Sequence, residues 1–461
     1  MDGVGTPIIG RPRPLPGHDT PNPAYHPHTL NYEEPLIVWL AMTLLGLLIF
    51  NLSAIDVPAS RWVPAHPSYL EHVSLWDSKW YHRIITERYF TKLTYDANGH
   101  VRQNTWAFMP VFPLVSEALA TFTSTITTKS YFACAVVVSW ISSAAVALGL
   151  DAWLCPRVGK RASLLGVALF FSFAPAIVMQ LPYAESLTLA LLTFGFILLT
   201  KRRFIWAILL FGIAELTRPI GVPLGAAIGL WWFWEELRAR GIVSPTSRFN
   251  SSFLPFKKSA DATGNVSDVA ATAPQTATTA LDISPTPLSK KDRIWLFVTA
   301  IITCAGALFW PAFAWFITGV PSAYTDTETA WREGSLAPFM PWIKQATIYG
   351  GPNSGIVALI AVLVLSICAL SSSQLRKLGR LAWMWCLCYW VYLLVFFDPT
   401  SSILRMLLMM APLAWVLGAK LSNHLRAAVA FIALSIVSQV LWVAWIWDGY
   451  SLSLSKIYWM P

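Results

Sequence analysis

Eight consecutive residues, Trp76 to Arg83 (WDSKWYHR), set a carboxylate, a lysine, an arginine, a histidine and three large aromatics on about two helical turns. They follow the first long apolar segment, at the depth where tryptophan and tyrosine settle into the lipid headgroup layer. Asp77 is thereby held where a polar group carried by a lipid can reach it, which is the position for a general base acting on a lipid-linked substrate. Four further groups of polar residues interrupt apolar sequence: Tyr183-Ala184-Glu185, Glu215 with Arg218, Tyr324 to Glu333, and Asp398 to Arg405. Ionisable groups at membrane depth are expensive and mark pathways or sites. Five loops contributing them point to one shared cavity at the membrane surface.

Each of these residues also has a plainer role. Ser74 to Asp77 matches the S-x-x-D capping pattern, so a helix is expected to start there, with Asp77 satisfying backbone donors. Glu185 suits the start of its own helix. Glu215 and Arg218 lie three apart on one helical face and can neutralise each other. Arg405 sits in the first turn of an apolar span, from which it can snorkel to the interface. His82 reads first as a surface helix residue, and Trp80, Trp106 and Trp331 fit an aromatic belt.

The elements that must position these residues follow from composition. Apolar residues make up 56% of the chain and charged ones 12%, which no water-soluble domain of this length shows. The class is an all-α polytopic membrane protein. The net charge of +9 would suit nucleic acid if the bases gathered on a soluble face, but they punctuate the ends of apolar runs and read as orientation signals. Cys134, Cys155, Cys304, Cys368, Cys386 and Cys388 lie in or beside apolar segments without metal-ligand spacing, so free thiols and no metal site are expected.

Residues 1–35, rich in Pro, Gly and His, are expected to be a disordered cytoplasmic tail. The first span runs from Leu36 to about Ala54, and an outer loop from 55 to 130 carries a membrane-lying helix through Trp76 to Ile85. Trp106 to Phe122, with two prolines and Glu117, reads as a second interfacial helix. Ten more spans follow: Tyr131 to Leu154, Ala162 to Gln180, Ala184 to Thr200, Phe204 to Thr217, Ile220 to Trp234, Ile294 to Gly319, Ser354 to Leu370, Leu381 to Phe397, Ile403 to Gly418 and Ala427 to Trp447. With these eleven, every basic cluster outside the first loop falls on the inside, as the positive-inside rule requires. The Ser, Thr, Ala and Pro-rich stretch 237–292 is expected to be a disordered cytoplasmic loop dividing a core at 36–236 from C-terminal helices at 293–461.

The order WDSKWYHR, AFMPVFPL (Ala107 to Leu114), PYAESL (Pro182 to Leu187) and TRPIG (Thr217 to Gly221) resembles the PIG-V family of membrane mannosyltransferases, which includes the enzyme adding the second mannose in GPI-anchor assembly. The match covers roughly Leu75 to Gly221, and the chain departs from the family at Met109, at Ile220 and in the 238–293 loop. The resemblance implies a GT-C type bundle that moves mannose from polyprenyl-phosphate mannose to a glycolipid or other lipid-linked acceptor, with no metal or other cofactor. It implies an inverting transfer with Asp77 as base and with Arg218, Arg405, Lys79 and Arg332 on the donor phosphate. Substrate contacts would come from Trp76, Trp80, Tyr81, His82, Tyr183 and Glu185. The partners are the lipid-linked donor, the acceptor and membrane lipids, in a bacterial-type plasma membrane or else the endoplasmic reticulum, with the site on the non-cytoplasmic face. The rival class is a transporter or flippase, which would hold its charges near the midplane on broken helices.

Overall fold

The computed structural model describes residues 32–60, 62–123, 127–243, 281–284, 286–331 and 337–450; these are helical, with no strand beyond an isolated bridge between Tyr95 and Val101. Helix α1 (Glu33–Ala54) places Glu33 and Glu34 in its first turn, where carboxylates meet the positive end of the helix dipole. Its 22 residues rise about 33 Å, enough to cross the hydrocarbon layer. The first loop then folds into three short helices, α2 (Tyr69–Val73), α3 (Asp77–Glu87) and α4 (Val111–Phe122).

The capping box expected at Ser74 and Asp77 is found one element earlier. Ser68 accepts the Glu71 backbone N–H and the Glu71 carboxylate accepts that of Ser68, opening α2. Helix α3 instead begins after Trp76, whose φ of 56° breaks the chain direction and leaves no side-chain cap. Burying Tyr81, Ile84 and Ile85 holds α3 against α4 and the following long helix, with Tyr81 against Phe112. The 12 residues of α4 rise only about 18 Å, short of a crossing and in keeping with an interfacial helix.

Helix α5 (Thr128–Val158) is the longest, opened by a Thr127–Ser130 cap. It is followed by α6 (Lys160–Ser172), α7 (Glu185–Thr200), α8 (Phe204–Glu215), α9 (Gly221–Ala239), α10 (Lys290–Gly306) and α11 (Phe309–Thr318). The C-terminal part comprises α12 (Ala323–Thr329), α13 (Met340–Gly350), α14 (Ser354–Leu370), α15 (Ser373–Lys377), α16 (Arg380–Phe396), α17 (Ile403–Met406), α18 (Pro412–Leu421) and α19 (Leu425–Trp442). Close approach of α6 and α18 depends on glycine: a Cβ on Gly166 would lie 2.7 Å from the Trp415 ring, and one on Gly418 would lie 2.5 Å from the Ala162 carbonyl.

Five stretches are long and apolar enough to cross a membrane: Glu33–Ala54, Thr128–Val158, Lys290–Thr318, Ser354–Lys377 and Leu425–Trp447. They become seven if two bent pairs each count once, Lys160–Ser172 with Ala174–Gln180 at 85° and Ile403–Met410 with Pro412–Leu421 at 71°. The described residues form an all-helical bundle, and the chain is an integral membrane protein. The eleven expected segments all fall on helices or bent pairs, but the 16, 12 and 17 residues of α7, α8 and α16 are short of the ~20 that a straight crossing takes.

Charged contacts sort the helix ends into two layers. In one, Arg157 at the end of α5 pairs with Asp282 at 3.0 Å, and Glu235 of α9 receives Arg238 at 2.8 Å and Arg380 of α16 at 3.4 Å. Lys160 meets Glu34, Arg202 meets Asp292, and Arg293 meets Glu236 in the same layer. Of the expected loop 237–292, residues 244–280 and 285 lie outside those described, and the boundaries differ at both ends. Helix α9 continues to Ala239, while Asp282 and Leu288 are buried, because the Arg157 guanidinium and the Glu235 carboxylate give this returning strand of chain its polar partners. Of the expected tail, residues 1–31 lie outside those described, and α1 begins at Glu33.

Candidate active site

The opposite layer brings together the sequence's most separated polar residues. The first part is a turn. Leu75 and Asp77 flank the positive-φ Trp76, and Tyr183 fastens them: its hydroxyl donates to the Leu75 carbonyl at 3.3 Å and accepts the Asp77 backbone N–H at 3.3 Å. Ser78 adds a 2.6 Å bond to the same carbonyl. A non-glycine residue in this conformation costs on the order of 1–3 kcal/mol, and such strain persists only where surrounding contacts impose it. The Tyr183 hydroxyl and the Ser78 side chain are those contacts, and they aim the Asp77 side chain inward.

The second part is Glu185, in the first turn of α7 and fully buried. It opens its helix, with its carboxylate against its own backbone N–H at the positive helix end, and it also faces two cations. Its Oε1 accepts from Arg218 Nη1 at 2.6 Å and from Arg405 Nη1 at 2.9 Å. Arg218 is carried by the turn between α8 and α9, tied to α7 by a 2.7 Å contact between the Thr188 and Thr217 hydroxyls, and its Nη2 reaches the Met406 sulfur at 3.1 Å. Arg405 belongs to α17, 6% exposed, with its guanidinium 5.2 Å over the Tyr183 ring. The same Nη1 that meets Glu185 also lies 2.5 Å from Asp77 Oδ2. Arg405 therefore turns inward to two carboxylates rather than snorkelling outward.

The result is a quartet of two carboxylates and two guanidinium groups, formally neutral, drawn from α3, α7, the α8–α9 turn and α17. Buried charges are stable only when paired in this way, and removing one partner costs about 3–5 kcal/mol. Within the quartet the buried Glu185 Oε2 and Arg405 Nε have no hydrogen-bond partner, so an acceptor and a donor remain unused.

Comparison with known proteins adds little to this geometry. The sequence matches no protein-family model and no curated protein. Among solved structures, it is similar to the Archaeoglobus fulgidus oligosaccharyltransferase in its apo form, at 12% identity and a TM-score of 0.45, covering 90% of this chain and 56% of that one. It is also similar to AglB of the same organism in complex with an inhibitory peptide and a dolichol-phosphate, at 12% identity and a TM-score of 0.44, covering 90% and 56%. The chain spans about half the length of these proteins. Function is therefore read from the site.

The remaining expected residues divide. Tyr81 is buried beside the quartet and interacts electrostatically with all four of its members. Trp80 is half-buried, stacked on Phe108 at 5.6 Å with Trp331 edge-on at 5.0 Å and the Arg83 guanidinium over its ring. Trp76 packs beside Trp62 at 6.0 Å. Lys79 turns away from the quartet: its Nζ donates to the Trp62 carbonyl at 3.0 Å and lies over that ring, and partial burial lowers its pKa. His82 faces Tyr131 and Phe132 and has its pKa lowered by burial, apart from the quartet. Arg332 lies outside the described residues. Trp106 is neither belt nor platform; it is fully buried against Tyr89 and Trp310, with its Nε1 donating to the Phe90 carbonyl. Glu215 does not neutralise Arg218, since its carboxylate accepts the Gly221 backbone N–H at the start of α9.

Two features of this layer carry no mark in the sequence. Tyr389 of α16, inside an aromatic apolar run, interacts electrostatically with Arg218, Glu185 and Arg405. His72 is fully buried, with Nδ1 3.1 Å from the Phe50 carbonyl and Nε2 2.6 Å from Asp448, whose other oxygen accepts from Ser53. That contact ties the last described helical stretch to α1 and α2. Among the described residues, no group of three or more His, Cys, Asp or Glu side chains is arranged to hold a metal ion.

Proposed function

We propose that this chain is a multi-span membrane glycosyltransferase that moves a sugar, mannose by the PIG-V resemblance, from a polyprenyl-phosphate donor to a hydroxyl of a lipid-linked acceptor. The observation that carries the reading is the convergence of Asp77, Glu185, Arg218 and Arg405 from four separate elements onto one cluster, buried at Glu185 and Arg405 and partly open at Asp77 and Arg218. A carboxylate and two guanidinium groups are the parts this transfer needs. The acceptor oxygen bonds to the sugar's C1 while the C1–O bond to phosphate breaks on the opposite face, inverting the centre. The acceptor's proton goes to the Asp77 carboxylate. The bonding electrons go to the phosphate oxygen, whose charge is met by Arg218 and Arg405, since guanidinium forks suit phosphate. The leaving phosphate is already a stable anion and needs no general acid.

The two charged layers are what helices running in alternate directions would leave, whatever number of them crosses in full. The ends of α5, α7 and α9 and the starts of α1, α6, α10 and α16 carry the contacts of one layer, and the quartet belongs to the other. The basic ends fit the cytoplasmic side by the positive-inside rule, which puts the quartet on the non-cytoplasmic face. A transporter would instead keep such charges at mid-depth and open to both sides.

The test is a membrane preparation given radiolabelled polyprenyl-phosphate mannose and glycolipid acceptors. Label transfer that Asp77→Asn abolishes supports the reading. Vectorial movement of the lipid without label transfer, unaffected by that change, refutes it.

A further inference from the structure

The Arg405 to Asp77 contact obstructs the reaction it belongs to, and resting on the function proposed above, we infer that Arg405 is a donor-operated gate on Asp77. Arg405 Nη1 carries two hydrogens, and both are spent, one on Asp77 Oδ2 at 2.5 Å and one on Glu185 Oε1 at 2.9 Å. Nε of the same guanidinium is an unused donor, and a phosphate oxygen that takes Nη1 as well displaces one carboxylate. Glu185 is the contact that stays: its side chain is fully buried and the same oxygen also holds Arg218. Asp77 is the contact that yields, because its side chain is 19% exposed where that of Glu185 is fully buried, and it has one guanidinium partner where Glu185 has two.

Before the donor arrives the quartet is formally neutral and the base is occupied by a cation. An incoming phosphodiester brings one negative charge, takes Arg405 Nη1, and leaves the Asp77 carboxylate to an acceptor hydroxyl. Glu185 is the positioning residue of this exchange. It anchors Arg405 to Arg218 so that the guanidinium pivots without leaving the site. The order of events is thus fixed by charge: donor first, deprotonation of the acceptor second. Competition between Asp77 and phosphate for one nitrogen is a coupling free energy, and it acts equally in both directions.

The experiment is equilibrium binding of polyprenyl phosphate, without sugar or acceptor, to the purified full-length chain in lipid nanodiscs. Asp77→Asn removes the competing charge while keeping the side chain's size, so the gate predicts about tenfold tighter binding than wild type. Asp77→Ser serves as a second variant with the same expectation. Arg405→Lys and Arg218→Lys are expected to weaken binding. Unchanged or weaker binding by both Asp77 variants, with the arginine variants weakened, overturns the gate while leaving the phosphate site in place. Unchanged binding by both arginine variants overturns the phosphate site itself.

Discussion

Arg405 Nη1 and Asp77 Oδ2 lie 2.5 Å apart although 328 positions separate them in the chain. Arg405 enters through a four-residue helix at the head of a bent pair, and Asp77 through a helix that begins after a positive-φ tryptophan. Neither element is stabilised by its own length. Their meeting depends on Glu185 and Tyr183, which come from one short segment between them.

Arg405→Lys keeps the charge but replaces a planar fork by a point charge. We expect transfer to fall by about 10²–10³-fold, the loss typical of removing one donor aimed at developing negative charge. Initial rates over a range of donor concentrations, with folding checked by thermal melting, measure it.

Glu185→Gln leaves Arg218 and Arg405 facing each other in a buried site. A destabilisation of about 3–5 kcal/mol is expected, as for other broken buried ion pairs. Adding Arg218→Met removes one of the two opposed charges and should restore part of the melting temperature without restoring transfer.

Tyr183→Phe removes the hydroxyl that bridges Leu75 and Asp77, leaving a buried carbonyl and a backbone N–H without that partner. A loss of about 1–3 kcal/mol is expected. Because the turn also aims Asp77, transfer should drop in the folded fraction as well, which separates this effect from stability alone.

Gly379→Ala probes the other layer. Gly379 has φ +110°, and a Cβ there would lie 2.2 Å from Asp282 Oδ2, against the Arg157 pair. A melting temperature several degrees lower is expected, with the transfer rate at low temperature unchanged because the quartet belongs to the opposite layer. A loss of transfer without a loss of stability would contradict the separation of the two layers.

Burial lowers the pKa of His82 from its ordinary 6.5. As pH falls through that value the unfolded chain takes up the proton first, so the folded state loses stability below about 6.5. The contribution is fully present above the ordinary value and gone once pH passes the lowered one. Melting temperatures between pH 5 and 7, compared with those of His82→Phe, should show a shallower acid decline in the variant.

Much of the site was legible in the sequence because charge inside apolar sequence is costly wherever the chain goes. That cost singled out Asp77, Glu185, Arg218 and Arg405 without any knowledge of their partners. What the sequence did not reveal was direction. Arg405 could reach interface or interior, and only Glu185 and Asp77 across the fold decide between them. The S-x-x-D pattern at Ser74 was overridden because Trp76 takes a positive φ, which local pattern does not report. Lys79 was drawn to the Trp62 carbonyl by a loop fold with no periodic signature. Trp106 looked like an interfacial residue and is instead core, since Tyr89 and Trp310 come to it from separate stretches of chain.

The most direct measurement is single-turnover transfer by the purified protein preloaded with labelled polyprenyl-phosphate mannose and mixed with excess glycolipid acceptor. For Asp77→Asn we predict a chemical step slowed by about 10²–10⁴-fold, the usual contribution of a general base, with donor binding tightened. Transfer at the wild-type rate by a folded, donor-loaded Asp77→Asn protein would contradict it.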